Sequence, residues 1–170
     1  EIDYGLTDKV PAELRKAIAD AKAGKKGAKK ILVLINPPYG EAANSQGNAG
    51  KTDIASTMVG AGMDLGYAAR ELFVQFLIRI QRELPNSTLA MFSTLKYINA
   101  PNFEQFRQSW KAKFLGGFVV HSKAFDGLKG NFPIGFLQWD LSKRESLNAI
   151  TTKALDRFGY EEGQKSFSVA

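Results

Sequence analysis

A run of five aliphatic residues that stops at two prolines does most to constrain the fold of this chain. Residues 31–35 read Ile-Leu-Val-Leu-Ile, and residues 36–39 read Asn-Pro-Pro-Tyr. A short, continuous apolar run predicts a strand buried on both faces, which is typical of parallel sheets in α/β proteins. Because proline lacks a backbone N–H, the strand is expected to end before the two prolines. Ligands of open α/β sheets bind at the carboxyl ends of strands, where residues 36–39 should therefore lie.

The remaining periodic segments predict an α/β fold in which parallel strands are followed by a late antiparallel pair. A long loop is expected at residues 40–63, and the tail from Leu147 favours a hairpin, with a helix at 147–158 as the alternative. Asn102 is expected to cap a helix, with Gln105 in the capping-box position. The other expected elements are helices at residues 11–23 and 64–84 and strands at 88–92, 117–121 and 132–141.

Composition excludes several kinds of site. The chain has no cysteine and a single histidine, His121, which excludes disulfides, a thiolate metal site, a cysteine nucleophile and a histidine metal cluster. His121 is more often structural than catalytic when no partner is visible. The net charge of +6 fits a phosphate-bearing partner. Five lysines between Lys22 and Lys30 fit either a solvated helix end and loop, which is commoner, or a contact with a phosphate backbone.

Residues 36–39, called the tetrad below, have the chemistry that transfer to an exocyclic amine requires. Pro37 and Pro38 each fix φ near −65° and extend the residue before them, so the segment is stiff and presents carbonyl oxygens. The Asn36 amide oxygen and the Pro37 carbonyl can accept the two hydrogens of the amine and draw its lone pair out of the ring. Tyr39 offers a flat face for a base, worth roughly 1–3 kcal/mol. This chemistry needs no metal.

The sequence Ile-Asn-Pro-Pro-Tyr resembles motif IV of the amino-methyltransferases that use S-adenosylmethionine. Residues 65–84 and 87–97 are similar to the helix and strand that follow this motif in adenine-N6 DNA methyltransferases. Residues 131–136, Asn-Phe-Pro-Ile-Gly-Phe, resemble the later Phe-Pro motif of these enzymes. The resemblance covers about residues 30 to 141, and it implies the C-terminal half of a Rossmann-like methyltransferase sheet.

The resemblance implies transfer of a methyl group from S-adenosylmethionine to adenine N6 in DNA, as in restriction–modification systems. The tetrad would then hold a base flipped out of the duplex, and Phe132 would pack on the other face or edge of that base, unless it is a core aromatic. Lys96 and Tyr97, just past the second central strand, would touch the DNA backbone or cover the sheet edge. The resemblance implies DNA as the partner, with a specificity or restriction subunit or domain as a further one. It also implies a cytoplasmic protein that does not bind a membrane.

The sequence departs from the family at the cofactor site. No Gly-rich loop precedes Asn36, and Gly60, Gly62 and Gly66 give a spacing one residue longer than the dinucleotide motif. Residues 50–52, Gly-Lys-Thr, do not complete a phosphate-binding loop because Ser45 stands where glycine is required. We therefore expect most of the S-adenosylmethionine site to lie outside this chain and the isolated fragment to be inactive.

The chain is expected to divide into two parts. Residues 1–145 are expected to be the catalytic, base-binding part of the domain, and residues 146–170 a tail or hairpin leading to a further region.

Two other functions stay open. One is a methyltransferase that acts on RNA or on protein glutamine, since these enzymes also use Asn-Pro-Pro-Tyr. The other is a non-catalytic remnant that binds nucleic acid.

Overall fold

A computed structural model describes residues 10–38, 65–128 and 130–169. Tyr39 and the loop expected at residues 40–63 therefore lie outside the described residues. Short 3₁₀ turns cover Gly66–Arg70, Pro101–Phe103 and Ser122–Ala124. The other elements, in chain order, are α1 (Ala12–Lys22), β1 (Leu32–Ile35), α2 (Leu72–Glu83), β2 (Thr88–Thr94), α3 (Lys96–Asn99), α4 (Glu104–Ser109), β3 (Lys113–His121), β4 (Pro133–Asp140), β5 (Ala149–Leu155) and β6 (Glu161–Ser168).

The strands form one mixed sheet in the order β1-β2-β4-β3-β5-β6. β1 pairs with β2 in parallel and β3 with β5, whereas β4 runs antiparallel between β2 and β3, and β6 runs antiparallel to β5. The prediction of an α/β fold with parallel strands and a late antiparallel pair is confirmed. Because β1, β2, β3 and β5 point the same way, their carboxyl ends lie along one side of the sheet, called the carboxyl rim below.

One face of this sheet carries the hydrophobic core. Leu89 and Met91 of β2 and Leu137 and Trp139 of β4 belong to a single buried cluster, to which each of the four α-helices contributes. Adjacent strands place these residues in register, Leu89 opposite Trp139 and Met91 opposite Leu137, so they share a face. The helices described by the structure therefore pack on that face. None of the helices within the described ranges is long and apolar enough to span a membrane.

The opposite face is less covered, and this corrects the prediction that β1 is buried on both faces. Val33 and Ile35 of β1 pack against the core, but Leu32 and Leu34, which point to the other side, are 67% and 70% exposed. Leu34 lies opposite Ala90 in the sheet, on the side that also carries Phe92. We call this side the open face; its other apolar members are Phe118 and Phe136.

The long helix expected at residues 64–84 is shorter in the structure. Glu71 is extended, with φ −84° and ψ 121°, and it separates the 3₁₀ turn Gly66–Arg70 from α2. Gly66 has a φ of +56°, and a Cβ there would lie 1.6 Å from Oε1 of Gln105. Gln105 thus packs over the turn, and α4 begins with no side-chain cap. The predicted capping box at Asn102 is wrong, because Asn102 lies inside the 3₁₀ turn Pro101–Phe103 that precedes α4.

The tail forms the hairpin favoured by its sequence, so the alternative of a helix at residues 147–158 is wrong. β5 and β6 pair from Ala149 opposite Ser168 to Leu155 opposite Glu161. β5 also pairs in parallel with β3, which makes the hairpin a continuation of the same sheet. Ile150 and Thr152, which alternate along β5, are buried, and so is Phe167 of β6. Most of β6 is otherwise exposed.

Candidate functional site

The first three tetrad residues leave the sheet at the carboxyl rim. Asn36 follows the last residue of β1 directly; Asn36 and Pro38 are exposed, and Pro37 is buried. β2, the parallel neighbour of β1, lies about 4.8 Å away across the sheet and continues past Met91, the partner of Ile35, to Thr94 at the same rim. The expected position at a strand's carboxyl end is therefore met for residues 36–38, while Tyr39 lies outside the described residues.

A cavity of about 360 Å³ opens at this rim, beyond the end of β2. This volume lies in the range of small-molecule sites. It brings together two residues that the sequence singled out separately, Lys96 and Phe132. The cavity is completed by Thr94, Leu95, Asn99, Ala100 and Pro133. The two predicted substrate-binding residues thus line one space at the end of β2, the neighbour of the strand that leads to Asn36. Their roles stay predictions.

Phe132 reaches the cavity because β4 runs antiparallel to β2. Ile134 lies opposite Thr94, so the residues just before β4 sit at the end of β2. Two hydrogen bonds fix this approach: the Ser122 amide donates to the Phe132 carbonyl at 2.9 Å, and the Phe132 amide donates to Ser122 Oγ at 3.4 Å. The Phe132 ring is half-buried, so it is neither a full core residue nor a free surface group.

Lys96 is held by a buried carboxylate. Its ammonium lies 2.7 Å from Oε1 of Glu71, whose side chain is only 6% exposed, whereas that of Lys96 is 45% exposed. A buried carboxylate is stable only when it is paired, so Lys96 also fixes the start of α2 against the end of β2. Lys96 also lines the cavity.

Tyr97, by contrast, is a core residue with no exposed surface, so the expectation that it touches a DNA backbone is wrong. Its side chain is fully buried, and its hydroxyl accepts a hydrogen bond from Trp139 Nε1 at 3.2 Å. Burial raises the pKa of Tyr97 well above its usual value, and the hydrogen bond from Trp139 opposes this only in part. The phenol therefore stays neutral, and its ring packs against Phe73, Phe106 and Trp139 in the core.

The lysines between Lys22 and Lys30 lie away from the site. This segment precedes β1, so it sits at the amino ends of the parallel strands, opposite the carboxyl rim. Three of these lysines pair with carboxylates: Lys22 with Glu83, Lys25 with Asp20, and Lys29 with Glu13. The hydrogen bond from Lys29 holds the pKa of Glu13 below its usual value. These contacts favour a solvated helix end over a phosphate contact at the site.

His121 ends β3 at the carboxyl rim and has a local structural role. Its Nδ1 accepts a hydrogen bond from the Lys123 amide at 3.0 Å, which caps the 3₁₀ turn that follows. Within the residues that the structure describes, no group of three or more His, Asp or Glu side chains is placed to hold a metal ion.

Sequence reasoning missed Thr94 and Asn99, which also line the cavity. Thr94 Oγ1 is buried and has no hydrogen-bond partner within the described part of the chain. The strand was expected to end at residue 92, but β2 continues to Thr94 because Ser93 and Thr94 pair with Gly135 and Ile134 of β4. Only this pairing places Thr94 at the cavity, and no local pattern in the sequence signals it.

The sequence matches no protein-family model and no curated protein. Among solved structures, the chain is similar to a protein described as a modification subunit of a type I restriction enzyme from Vibrio vulnificus. The two are 15% identical with a TM-score of 0.50, and the match covers 73% of this chain and 25% of that one. It is also similar to the type IIL restriction-modification enzyme MmeI, solved in complex with DNA, with 14% identity and a TM-score of 0.51, over 88% of this chain and 20% of that one.

These similarities concern the fold. The chain has a fold found in the modification enzymes of restriction–modification systems, and it spans about a quarter and a fifth of the length of the two proteins.

Proposed function

We propose that this chain is the base-binding part of a DNA methyltransferase that transfers a methyl group from S-adenosylmethionine to adenine N6. One observation carries the proposal: Asn36-Pro37-Pro38 follows β1 directly at the carboxyl rim, the side of the sheet on which Phe132 and Lys96 line a cavity beyond the end of the neighbouring strand β2. The fold likeness to restriction–modification enzymes, one of them in complex with DNA, supports the class of reaction and the partner.

The chemistry assigned to this chain concerns the amine. The N6 lone pair of adenine is delocalised into the ring, which makes the nitrogen a poor nucleophile. The Asn36 side-chain oxygen and the Pro37 carbonyl accept the two N6 hydrogens and favour the tetrahedral nitrogen of the transition state. Acceptors that are fixed before the reaction lower its barrier because they need no reorganisation. The two prolines provide this rigidity.

The base itself requires flat surfaces, and Phe132 supplies one at the cavity. A base flipped out of a duplex is held by stacking and by contacts with its edge. Tyr39 is proposed to stack on the opposite side, and Thr94 offers an unused hydroxyl beside the same cavity. An aromatic wall of this kind suits a base better than it suits a glutamine side chain, which favours nucleic acid over protein as the substrate.

We propose that most of the S-adenosylmethionine site lies outside this chain. The open face, on which the remainder of such a domain would pack, exposes Leu32 and Leu34 and holds Phe92 and Phe136 half-buried with ring centroids 4.7 Å apart. Contiguous exposed apolar residues of this kind mark a surface that another part of a protein covers. We assign the cofactor site to the rest of the protein, and S-adenosylmethionine supplies the methyl group when bound there.

The test is methyl transfer from labelled S-adenosylmethionine by the full-length protein, offered mixed DNA, RNA and protein. The expected product is DNA labelled at adenine N6. Label in RNA or in protein glutamine would replace the proposed substrate with the alternative one. Absence of label from all three, with intact binding of DNA, would favour the non-catalytic remnant.

A further inference from the structure

The tip of the β5–β6 hairpin presents two aromatic side chains to solvent. Phe158 is 69% exposed and Tyr160 is 74% exposed, although both lie within a three-residue stretch. The guanidinium of Arg157 stacks over the Phe158 ring at 4.6 Å from its centroid. Scattered apolar residues are normal on a surface, but two large aromatics and an arginine at one tip are a concentrated group.

The tip, residues 156–160, is held rigid by Asp156. Its Oδ1 accepts hydrogen bonds from the amides of Phe158 at 2.8 Å and Tyr160 at 2.9 Å. The Asp156 amide donates to the Tyr160 carbonyl at 2.9 Å, and Gly159, with a φ of +91°, completes the turn. A loop ordered in advance loses little conformational entropy when it binds, so this geometry favours contact with a partner.

The tip lies on the same side of the sheet as the candidate site. β5 is parallel to β1, β2 and β3, and its last residue, Leu155, lies opposite Val120, one residue before the end of β3. The tip therefore emerges at the carboxyl rim. β5 stands two strand positions from β4, whose first residues line the cavity, so about 10 Å separates the two across the sheet. At 3.4 Å per nucleotide along a strand, this is about three nucleotides.

The charges near the tip indicate which kind of partner it can bind. Lys153 pairs with Glu161, the Asp156 carboxylate is engaged by the turn amides, and Glu162, the next acid along β6, is exposed. Arg157, by contrast, makes no ion pair with the described residues, and its guanidinium lies on an aromatic face. Arginine over an aromatic ring, with a second exposed aromatic beside it, is suited to bases and phosphates: the rings stack on bases and the guanidinium meets the backbone.

We propose that residues 156–160 form a second nucleic-acid contact, which stacks Phe158 and Tyr160 on bases and directs Arg157 to a phosphate near the target base. The proposal rests on the proposed function, because it takes DNA as the molecule at the carboxyl rim. It adds a contact outside the tetrad and the cavity, and it gives the hairpin the task of holding the strand beside the flipped base.

The experiment measures DNA affinity of the full-length protein by fluorescence anisotropy, with duplexes of mixed sequence. The double variant Phe158→Ala/Tyr160→Ala is expected to weaken binding by about 10- to 100-fold, the range that lost base stacking produces. Phe158→Trp keeps a flat ring and should keep affinity, whereas Phe158→Leu keeps apolar volume only and should lose it. Phe76→Ala, which removes an exposed aromatic from α2 on the outer side of the helix layer, is the matched control and should change nothing.

The possible outcomes separate this proposal from the proposed function. If the wild-type protein methylates DNA and the double variant binds DNA equally well, the tip contact is refuted and the function stands. The tip contact is also refuted if Phe158→Leu binds DNA as tightly as wild type. If the double variant loses a subunit contact and keeps its DNA affinity, the tip contact is refuted and the tip is assigned to a protein partner. If the wild-type protein binds no DNA, the proposed function fails first. Thermal unfolding of each variant shows whether the hairpin still folds.

Discussion

Asn36 is exposed at the point where β1 ends, and the next residue, Pro37, is buried. The buried Pro37 is therefore a rigid anchor directly after the exposed Asn36 side chain. The same contrast separates the residues after β2, where Lys96 is partly exposed and Tyr97 is fully buried. Neighbouring residues at the rim therefore divide into exposed positions, to which we assign ligand contacts, and buried positions that anchor them.

Tyr97 gives a prediction about pH. Because burial raises its folded pKa above the ordinary value of 10.0, only the unfolded chain ionises this phenol as pH first rises past 10. The free energy of unfolding should therefore be independent of this group below pH 10 and fall above it. Urea unfolding of Tyr97→Phe should show a shallower fall above pH 10 than wild type. Tyr67→Phe, at a more exposed tyrosine, is the control, and an identical fall in Tyr97→Phe and wild type would contradict the account.

Lys96 gives a prediction about salt. Lys96→Gln leaves the Glu71 carboxylate buried without its partner, so we expect stability to fall by about 1–3 kcal/mol. If Lys96 also meets one phosphate, the slope of log affinity for DNA against log salt should become shallower by about 0.9. Anisotropy titrations at several salt concentrations measure this slope. An unchanged slope with reduced stability would restrict Lys96 to the ion pair.

At the scale of elements, β3 and β4 approach closely at one glycine. A Cβ at Gly117 would lie 2.1 Å from the carbonyl oxygen of Phe136, which belongs to the backbone and cannot move aside, whereas a Cβ at Gly116 would meet nothing within 4 Å. Both glycines have φ near +140°, at +146° and +141°, so the backbone strain of a substitution is similar at the two positions. The difference between them isolates the contact between strands.

We therefore expect Gly117→Ala to destabilise the protein by about 1–3 kcal/mol more than Gly116→Ala, since overpacking adds to the strain. Chemical unfolding of the two variants gives the difference directly. An equal loss of stability in the two variants would mean that β3 and β4 can move apart at Gly117 without a loss of free energy. The pairing of Gly117 with Leu137 in the sheet argues against this.

How far the elements could be predicted depends on where their signals lie. The hairpin and the strands were visible because alternation and turn residues are local. The break at Glu71 was not, because the contact that Glu71 makes is with Lys96, 25 residues away, and no local pattern signals it. The exposure of Leu32 and Leu34 was also hidden, since an aliphatic run does not tell which face neighbouring elements cover. At the site, Phe132 and Lys96 were singled out by position and motif, but their meeting at one cavity depends on the antiparallel register of β4.

At the scale of the whole molecule, the helices in the described part of the chain pack on one face of the sheet and leave the open face apolar. Replacing Leu32 and Leu34 by lysine should hardly alter the stability of the isolated chain, because both side chains are already exposed. In the full-length protein, where we propose that this face is covered, the same double variant should lower the melting temperature by several degrees, since buried charges are costly. Scanning calorimetry measures the melting temperature of the double variant and of wild type, in the isolated chain and in the full-length protein. Small changes of equal size in both would refute the proposal that this face is covered.

The central claim is that the tetrad activates an exocyclic amine, and Asn36 tests it most directly. Single-turnover methylation by the full-length protein should slow by about 100- to 1,000-fold in Asn36→Ala, the loss typical of one preorganised acceptor or donor, with DNA affinity unchanged. Asn148→Ala, at an exposed asparagine before β5, is the matched control and should methylate at the wild-type rate. A rate in Asn36→Ala within a few-fold of wild type would contradict the proposed function of the tetrad.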